Sequence, residues 1–116
     1  METNENTKKS VLKYFHSWQS PSDFEEMKNY LAPDISFDMN GFQLHGVDAV
    51  MGMVMQDPTP WKEVELLDSQ FSATQAAIIY QGVNTDTDQK IRVAEHLCLA
   101  NDKITRATVV MSVLPS

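Results

Sequence analysis

Apolar residues recur every three or four positions in the first half of the chain and every second position in the second half. Val11, Tyr14, Phe15 and Trp18 fall at i, i+3, i+4 and i+7, which makes one stripe on a helix over about 7–19. Ser20-Pro21 ends it, because proline cannot donate to the helix ladder and restricts the residue before it. Ser22-Asp23-Phe24-Glu25 reads as a capping box, in which the serine bonds the first free amides and the glutamate reaches back. A second helix over about 22–32 is therefore expected to bury Phe24, Met27 and Leu31, with Pro33-Asp34 stopping it. Ile35, Phe37 and Met39 then alternate with Ser36, Asp38 and Asn40, which is strand periodicity. Asn40-Gly41 suits a two-residue hairpin turn, and 42–45 returns as the partner strand. After Gly46, helical spacing of Val47, Val50, Met51 and Val54 predicts a third helix over 47–56, closed by Pro58 and Pro60.

The remainder divides into four strands, about 62–72, 75–85, 90–100 and 103–113, joined by residues with turn chemistry. Strands of roughly ten residues are long for a domain this size, and long strands curl. Helices first and strands afterwards predict an α+β fold, with three helices laid across the concave face of a strongly bent, mixed or antiparallel sheet. Such an arrangement leaves a pocket. One domain over 7–116 is expected, preceded by a polar, frayed stretch over 1–6.

Hydrophobic content of 42% and charged content of 22% are those of an ordinary globular chain. Sixteen acidic against nine basic residues give a net charge of −7, which repels phosphate backbones and anionic membrane surfaces. Basic residues do not cluster beyond Lys8-Lys9, so neither nucleic acid nor a membrane is an expected partner. A lone cysteine, Cys98, cannot close an internal disulfide and fits a reducing compartment. With no apolar leader and no run near the roughly 20 residues of a membrane span, a cytoplasmic location is expected. His16, His45 and His96 lack metal-ligand spacing and no glycine-rich phosphate loop occurs, so neither metal nor cofactor is expected.

Glu95 is the sharpest candidate for chemistry. Ile91, Val93, Leu97 and Leu99 share its face of the strand, whereas Ala94, His96 and Cys98 share the other. A carboxyl among aliphatics loses solvation, and the neutral, proton-donating form is favoured. The competing reading is a carboxyl that simply meets a pocket water or a tyrosine hydroxyl. Tyr14 lies on the apolar stripe of the first helix, so its hydroxyl needs a buried partner. The phase of Ile35, Phe37 and Met39 turns Asp38 to the opposite face, because a one-residue slip would put all three in water. Asp38 is thus weighed as a catalytic base against a solvated or interface carboxylate. Phe15, Trp18, Phe37, Met39, Met51, Met55, Trp61 and Leu97 are the apolar candidates for lining a pocket. Flexible thioethers suit such a role, and they also simply fill irregular cores. Cys98 reads as a packed thiol, and His96 beside it on the outer face as a dimer contact.

Three stretches carry a resemblance that spans about 8–113. They are Tyr30-Leu31-Ala32-Pro33-Asp34-Ile35-Ser36-Phe37, Leu44-His45-Gly46-Val47-Asp48-Ala49-Val50, and Arg92-Val93-Ala94-Glu95-His96-Leu97 followed by Asp102-Lys103-Ile104. With this layout the chain resembles the NTF2-like superfamily, and within it the SnoaL-like branch. The resemblance implies a cone-shaped α+β barrel, a deep and mostly apolar pocket, and homodimers formed through the outer sheet face. Its members include ketosteroid isomerase-like enzymes, polyketide cyclases, dehydratases, epoxide hydrolases and non-catalytic binding domains. It places Glu95 at the position of an acid, and Tyr14 at that of a tyrosine, that together hold an oxyanion. It also asks for a base on the first strand, where the present register puts Met39, with Asp38 one residue away. The expected partner is a small apolar or carbonyl-bearing molecule. An accompanying isomerase-, cyclase- or dehydratase-like reaction is left open, and the alternative is a non-catalytic homodimeric interaction module.

Overall fold

The structure is a computed structural model that describes residues 3–115. Helix α1 spans Asn4–Ser17, three residues ahead of the expected start. The reason is a cap: the Thr3 side chain accepts a hydrogen bond from the Asn6 amide at 3.1 Å, so the polar residues after it form a first turn. The fraying expected over 1–6 therefore does not extend to residues 3–6, and residues 1–2 lie outside the described residues. Buried Thr7 donates its hydroxyl to the carbonyl of Ala73 at 2.8 Å and pins α1 to a strand connection.

The second helix is much shorter than its sequence pattern. Pro21–Asp23 forms a 3-10 turn, α2 covers only Phe24–Met27, and Lys28–Tyr30 is again 3-10. The expected capping box is not made: neither Ser20 nor Asp23 caps through its side chain, and Ser22 pairs with the Ser20 hydroxyl. Phe24, Met27 and Leu31 are buried as expected, but Leu31 already belongs to strand β1, Leu31–Met39. Pro33 does not break this strand, because pairing with the last strand slips between Leu31 and Ser36 and leaves no ladder position for it.

Asn40 and Gly41 both take positive φ, 52° and 91°, and turn β1 into β2, Phe42–His45. Helix α3 occupies Val47–Gln56, as its spacing predicts. Strands β3 (Trp61–Phe71), β4 (Gln75–Asn84), β5 (Gln89–Ala100) and β6 (Lys103–Val113) each fall within one residue of their expected bounds. The six strands run in the order β2-β1-β6-β5-β4-β3, antiparallel throughout except for β1 against β6. The sheet is mixed and does not close: β2 and β3 remain its edges. Bulges in the β3–β4 pairing and at Cys98/Leu99 bend the long strands around the helices.

Period-2 alternation then decides what faces inward. On β5, Ile91, Val93, Glu95, Leu97 and Leu99 are buried while Arg92, Ala94 and His96 are exposed. The core forms between this inner face, α1 and α3. Among the described residues, no helix is long and apolar enough to cross a membrane.

Candidate functional site

A cavity of about 240 Å³ lies between the sheet, the end of α1, α2 and α3. Its polar end is built by three elements, α1, β4 and β5. Helix α1 delivers Tyr14, whose hydroxyl donates to Glu95 Oε1 at 2.6 Å. Strand β4 delivers Tyr80, whose hydroxyl donates to Glu95 Oε2. Glu95 sits between Ile78 and Val109 in the sheet register, and Tyr80 pairs with Val93, so the tyrosine reaches the carboxyl diagonally across two strands. Ser17 fixes the helix end by donating to the Tyr14 carbonyl at 2.7 Å.

All three groups are buried, with Glu95 at 3%, Tyr80 at 4% and Tyr14 at 6% exposure. Burial pushes the Glu95 carboxyl above its ordinary value, and the hydrogen bonds from Tyr14 and Tyr80 offset only part of that rise. Burial first, and the Glu95 charge second, hold both phenols well above their usual range. The phenols therefore keep their protons at neutral pH.

Counting those protons shows what the cluster can do. With Glu95 ionised, both tyrosine protons are spent on its two oxygens, and the cluster offers only lone pairs. With Glu95 protonated, three protons serve two internal bonds, and one is left to donate outward. The protonation state of one carboxyl thus decides whether the polar end acts as a donor or an acceptor.

The walls are apolar, with Met27, Phe37, Met39, Met53 and Val109 among them. Trp18 and Trp61, with ring centroids 5.5 Å apart, stand with Asp57 near the mouth. Trp18 also packs on Tyr80 at 5.0 Å. The ionisable residues lining the cavity besides the tyrosines are Glu95 and Asp57; lysine, arginine and histidine are absent from its lining. Among the described residues, no three His, Cys, Asp or Glu side chains converge on a point that could hold a metal ion.

Of the residues singled out by sequence, Glu95, Tyr14, Trp18, Phe37, Met39 and Trp61 meet in this cavity. Asp38 does not. It lies on the other face of β1, where its carboxylate accepts from the Gly41 amide at 2.9 Å and from the Gln43 side chain at 3.2 Å. Asp38 is a hairpin residue, and Met39 holds the inward position, as the alternation of β1 requires. Phe15 is buried behind the wall, edge-on to Trp18 and Tyr80, and positions both. Met51 and Leu97 are packed core residues outside the lining, and Met55 is 44% exposed on the far side of α3.

Tyr80 and Asp57 are the functional candidates that sequence reasoning missed. Tyr80 shares the inward phase of Ala76 and Ile78 on β4, so its burial was legible. Its meeting with Glu95 depends on the β4–β5 register, which the four-residue turn after Asn84 sets. Asp57 follows α3 as its C-cap, in a proline-rich segment that periodicity does not describe.

The chain matches no model of a known protein family and no functionally curated protein. Solved structures match it over nearly its whole length. A Kribbella flavida protein provisionally named a ketosteroid isomerase superposes with a TM-score of 0.86 at 17% identity, covering 100% of this chain and 84% of that one. An NTF2-like protein of unknown function from Burkholderia xenovorans gives 0.80 at 11% identity, covering 97% and 85%. A steroid delta-isomerase from Pseudomonas aeruginosa gives 0.72 at 13% identity, covering 92% and 80%. At such identities the likeness is one of architecture. The chain has the NTF2-like fold, an α+β cone, as the resemblance implies.

Proposed function

We propose that this chain is a binding domain for a small, uncharged, mostly apolar molecule whose carbonyl or comparable oxygen sits against Tyr14, Glu95 and Tyr80. The observation that carries this reading is the fully buried carboxyl, gripped by two phenols, at the end of an apolar cavity. A neutral Glu95 supplies the one spare proton, and a donor fixed in a dry site stabilises charge developing on a ligand oxygen. The polar end therefore suits polarisation of a carbonyl, which an isomerase-, cyclase- or dehydratase-like reaction would use. Abstraction of a proton from carbon needs a base as well. Asp38 is turned away from the cavity, so Asp57 at the mouth is the lining carboxylate left for that role. The similarity to structures named as steroid isomerases supports the class of ligand and leaves the reaction unassigned.

The test is the pH dependence of binding for an apolar bicyclic ketone, followed by calorimetry. Binding to the wild type falls as pH rises through the elevated Glu95 pKa, because the spare proton is lost. Glu95→Gln keeps an outward N–H donor at every pH, so its affinity stays level. Wild-type affinity that holds or rises with pH, or no binding at all, contradicts the reading.

A second reading has its own observation. Ile79, Ala94 and Val110 lie side by side across three strands on the outer face, with Ile79 38% and Val110 57% exposed. Such a row supports a homodimer formed through that face. Sedimentation of the wild type and Val110→Glu checks it: a dimer that the variant splits is expected, and a micromolar monomer overturns it.

A further inference from the structure

Tyr80, Trp18 and Trp61 form a row of rings along the cavity from its polar end to its mouth, with neighbouring centroids 5.0 and 5.5 Å apart. The last of the three is seated by a glycine. Gly82 shares the inward phase of Ala76, Ile78 and Tyr80 on β4, and a Cβ there would meet Trp61 Cε3 at 2.8 Å and Cζ3 at 3.1 Å. Its backbone lies outside the left-handed region, so conformation does not call for glycine; room for the indole does. Opposite it, the β3 pairing slips between Lys62 and Glu65, with Glu63 at a φ of 53°, and this bulge brings Trp61 and Val64 over the glycine. The Pro60 carbonyl accepts from the Thr85 amide at 2.8 Å and ties down the chain just before Trp61. Trp61 is thus a fixed part of the wall. Size gives that position a consequence. An apolar cavity of about 150 Å³ holds benzene, roughly 25 Å³ per heavy atom. By that measure about 240 Å³ accommodates roughly ten heavy atoms, which is two fused rings.

We infer that Trp61, seated on Gly82, sets the length of the ligand and holds it to about two fused rings. This deepens the reading of the cavity as a site for an oxygen-bearing apolar molecule and rests on it. A ligand whose oxygen sits against Tyr14, Glu95 and Tyr80 extends past Trp18 and meets the Trp61 ring. A four-ring steroid skeleton has about twice the heavy atoms that the cavity takes, so its far rings need the space that the indole fills. Removing the indole, about nine heavy atoms, nearly doubles the room. Trp61 is thereby a specificity residue, selecting among apolar ketones by length.

The test compares 1-tetralone, a two-ring ketone, with testosterone, a four-ring enone, by calorimetry on the wild type, Trp61→Ala and Trp61→Leu. The wild type is expected to bind 1-tetralone at least about tenfold tighter than testosterone. Trp61→Ala should reduce that ratio at least about tenfold by gaining affinity for testosterone, while still binding 1-tetralone. Trp61→Leu, which removes fewer atoms, should move the ratio the same way by less, and it carries the test should Trp61→Ala fail to fold. A thermal melt checks the seating: Gly82→Ala lowers Tm in the wild type, and most of that loss should vanish in the Trp61→Ala background. A wild type that takes testosterone as tightly as 1-tetralone overturns the inference. So does a preference for 1-tetralone that survives both Trp61 variants, or a Tm loss that Trp61→Ala leaves intact, although the cavity then remains a ketone site. Failure of the wild type to bind either probe removes the underlying reading as well.

Discussion

Replacing Glu95 by leucine separates the two energies that meet at the buried carboxyl. The side chain is 3% exposed, and leucine fills a similar volume between Ile78 and Val109. The substitution strands the Tyr14 and Tyr80 hydroxyls, each at about 1–3 kcal/mol if left unpaired. It also gains about 1.5–3 kcal/mol by burying an aliphatic side chain. At low pH, where Glu95 is neutral and bonded to both phenols, the wild type is expected to be more stable by about 1–3 kcal/mol. The decisive part is the pH dependence. The Glu95 pKa is raised in the folded state, so above the unfolded value of about 4.3 the native chain holds a proton that the unfolded chain has lost. The stabilising contribution is complete below that unfolded value and is lost as pH rises through the folded pKa. In between, the wild type loses about 1.4 kcal/mol per pH unit relative to the leucine variant, then levels off. Urea unfolding of both proteins, read by tryptophan fluorescence at steps from about pH 4 to 9, gives the difference directly and cancels the other titrating groups. A difference that is flat, or that grows in favour of the wild type as pH rises, refutes the reasoning.

Four further substitutions probe the parts around it. Tyr14→Phe and Tyr80→Phe each remove one bond to the carboxyl, and each should lower stability by about 1–2 kcal/mol in urea unfolding. Because those bonds lower the Glu95 pKa, either variant should also move the loss of ketone binding to higher pH. In Gly82→Ala, the new Cβ would sit 2.8 Å from Trp61 Cε3 and 3.2 Å from Val64 Cγ2. That should cost about 1–3 kcal/mol in a thermal melt and alter Trp61 emission at the cavity mouth. Asp38→Ala should cost about 0.5–1 kcal/mol through the lost hairpin bonds while leaving ketone affinity unchanged by calorimetry.

What was legible in sequence was periodicity and turn chemistry. Four long strands, the Asn40-Gly41 hairpin and α3 stand where alternation and helical spacing put them, because burial of one face dominates their energetics. The second helix is shorter than its pattern because a capping pattern at Ser22 competes with Pro21 on one side and with pairing of Leu31 to Ile104 on the other. Tertiary pairing won. The site was half visible for a related reason. Period-2 alternation reports which face a residue takes but not its depth along the strand, so Leu97 and Glu95 looked alike although only Glu95 reaches the cavity. Likewise the apolar stripe of α3 marks Met51 as buried without telling packed core from open space. Tyr80 needed the register between β4 and β5, a long-range fact that no local pattern contains.

The central claim is that Glu95 remains a neutral acid above the pH at which an ordinary glutamate side chain ionises. Carbon-13 spectra of protein labelled at the glutamate carboxyl, recorded across a pH series, test this directly, with Glu95→Gln identifying the signal by its loss. The expected result is that this carboxyl carbon stays at its protonated position above the ordinary glutamate value of about 4.3 and moves only at higher pH. A Glu95 signal that moves at the ordinary value of a free glutamate, about pH 4.3, would contradict it.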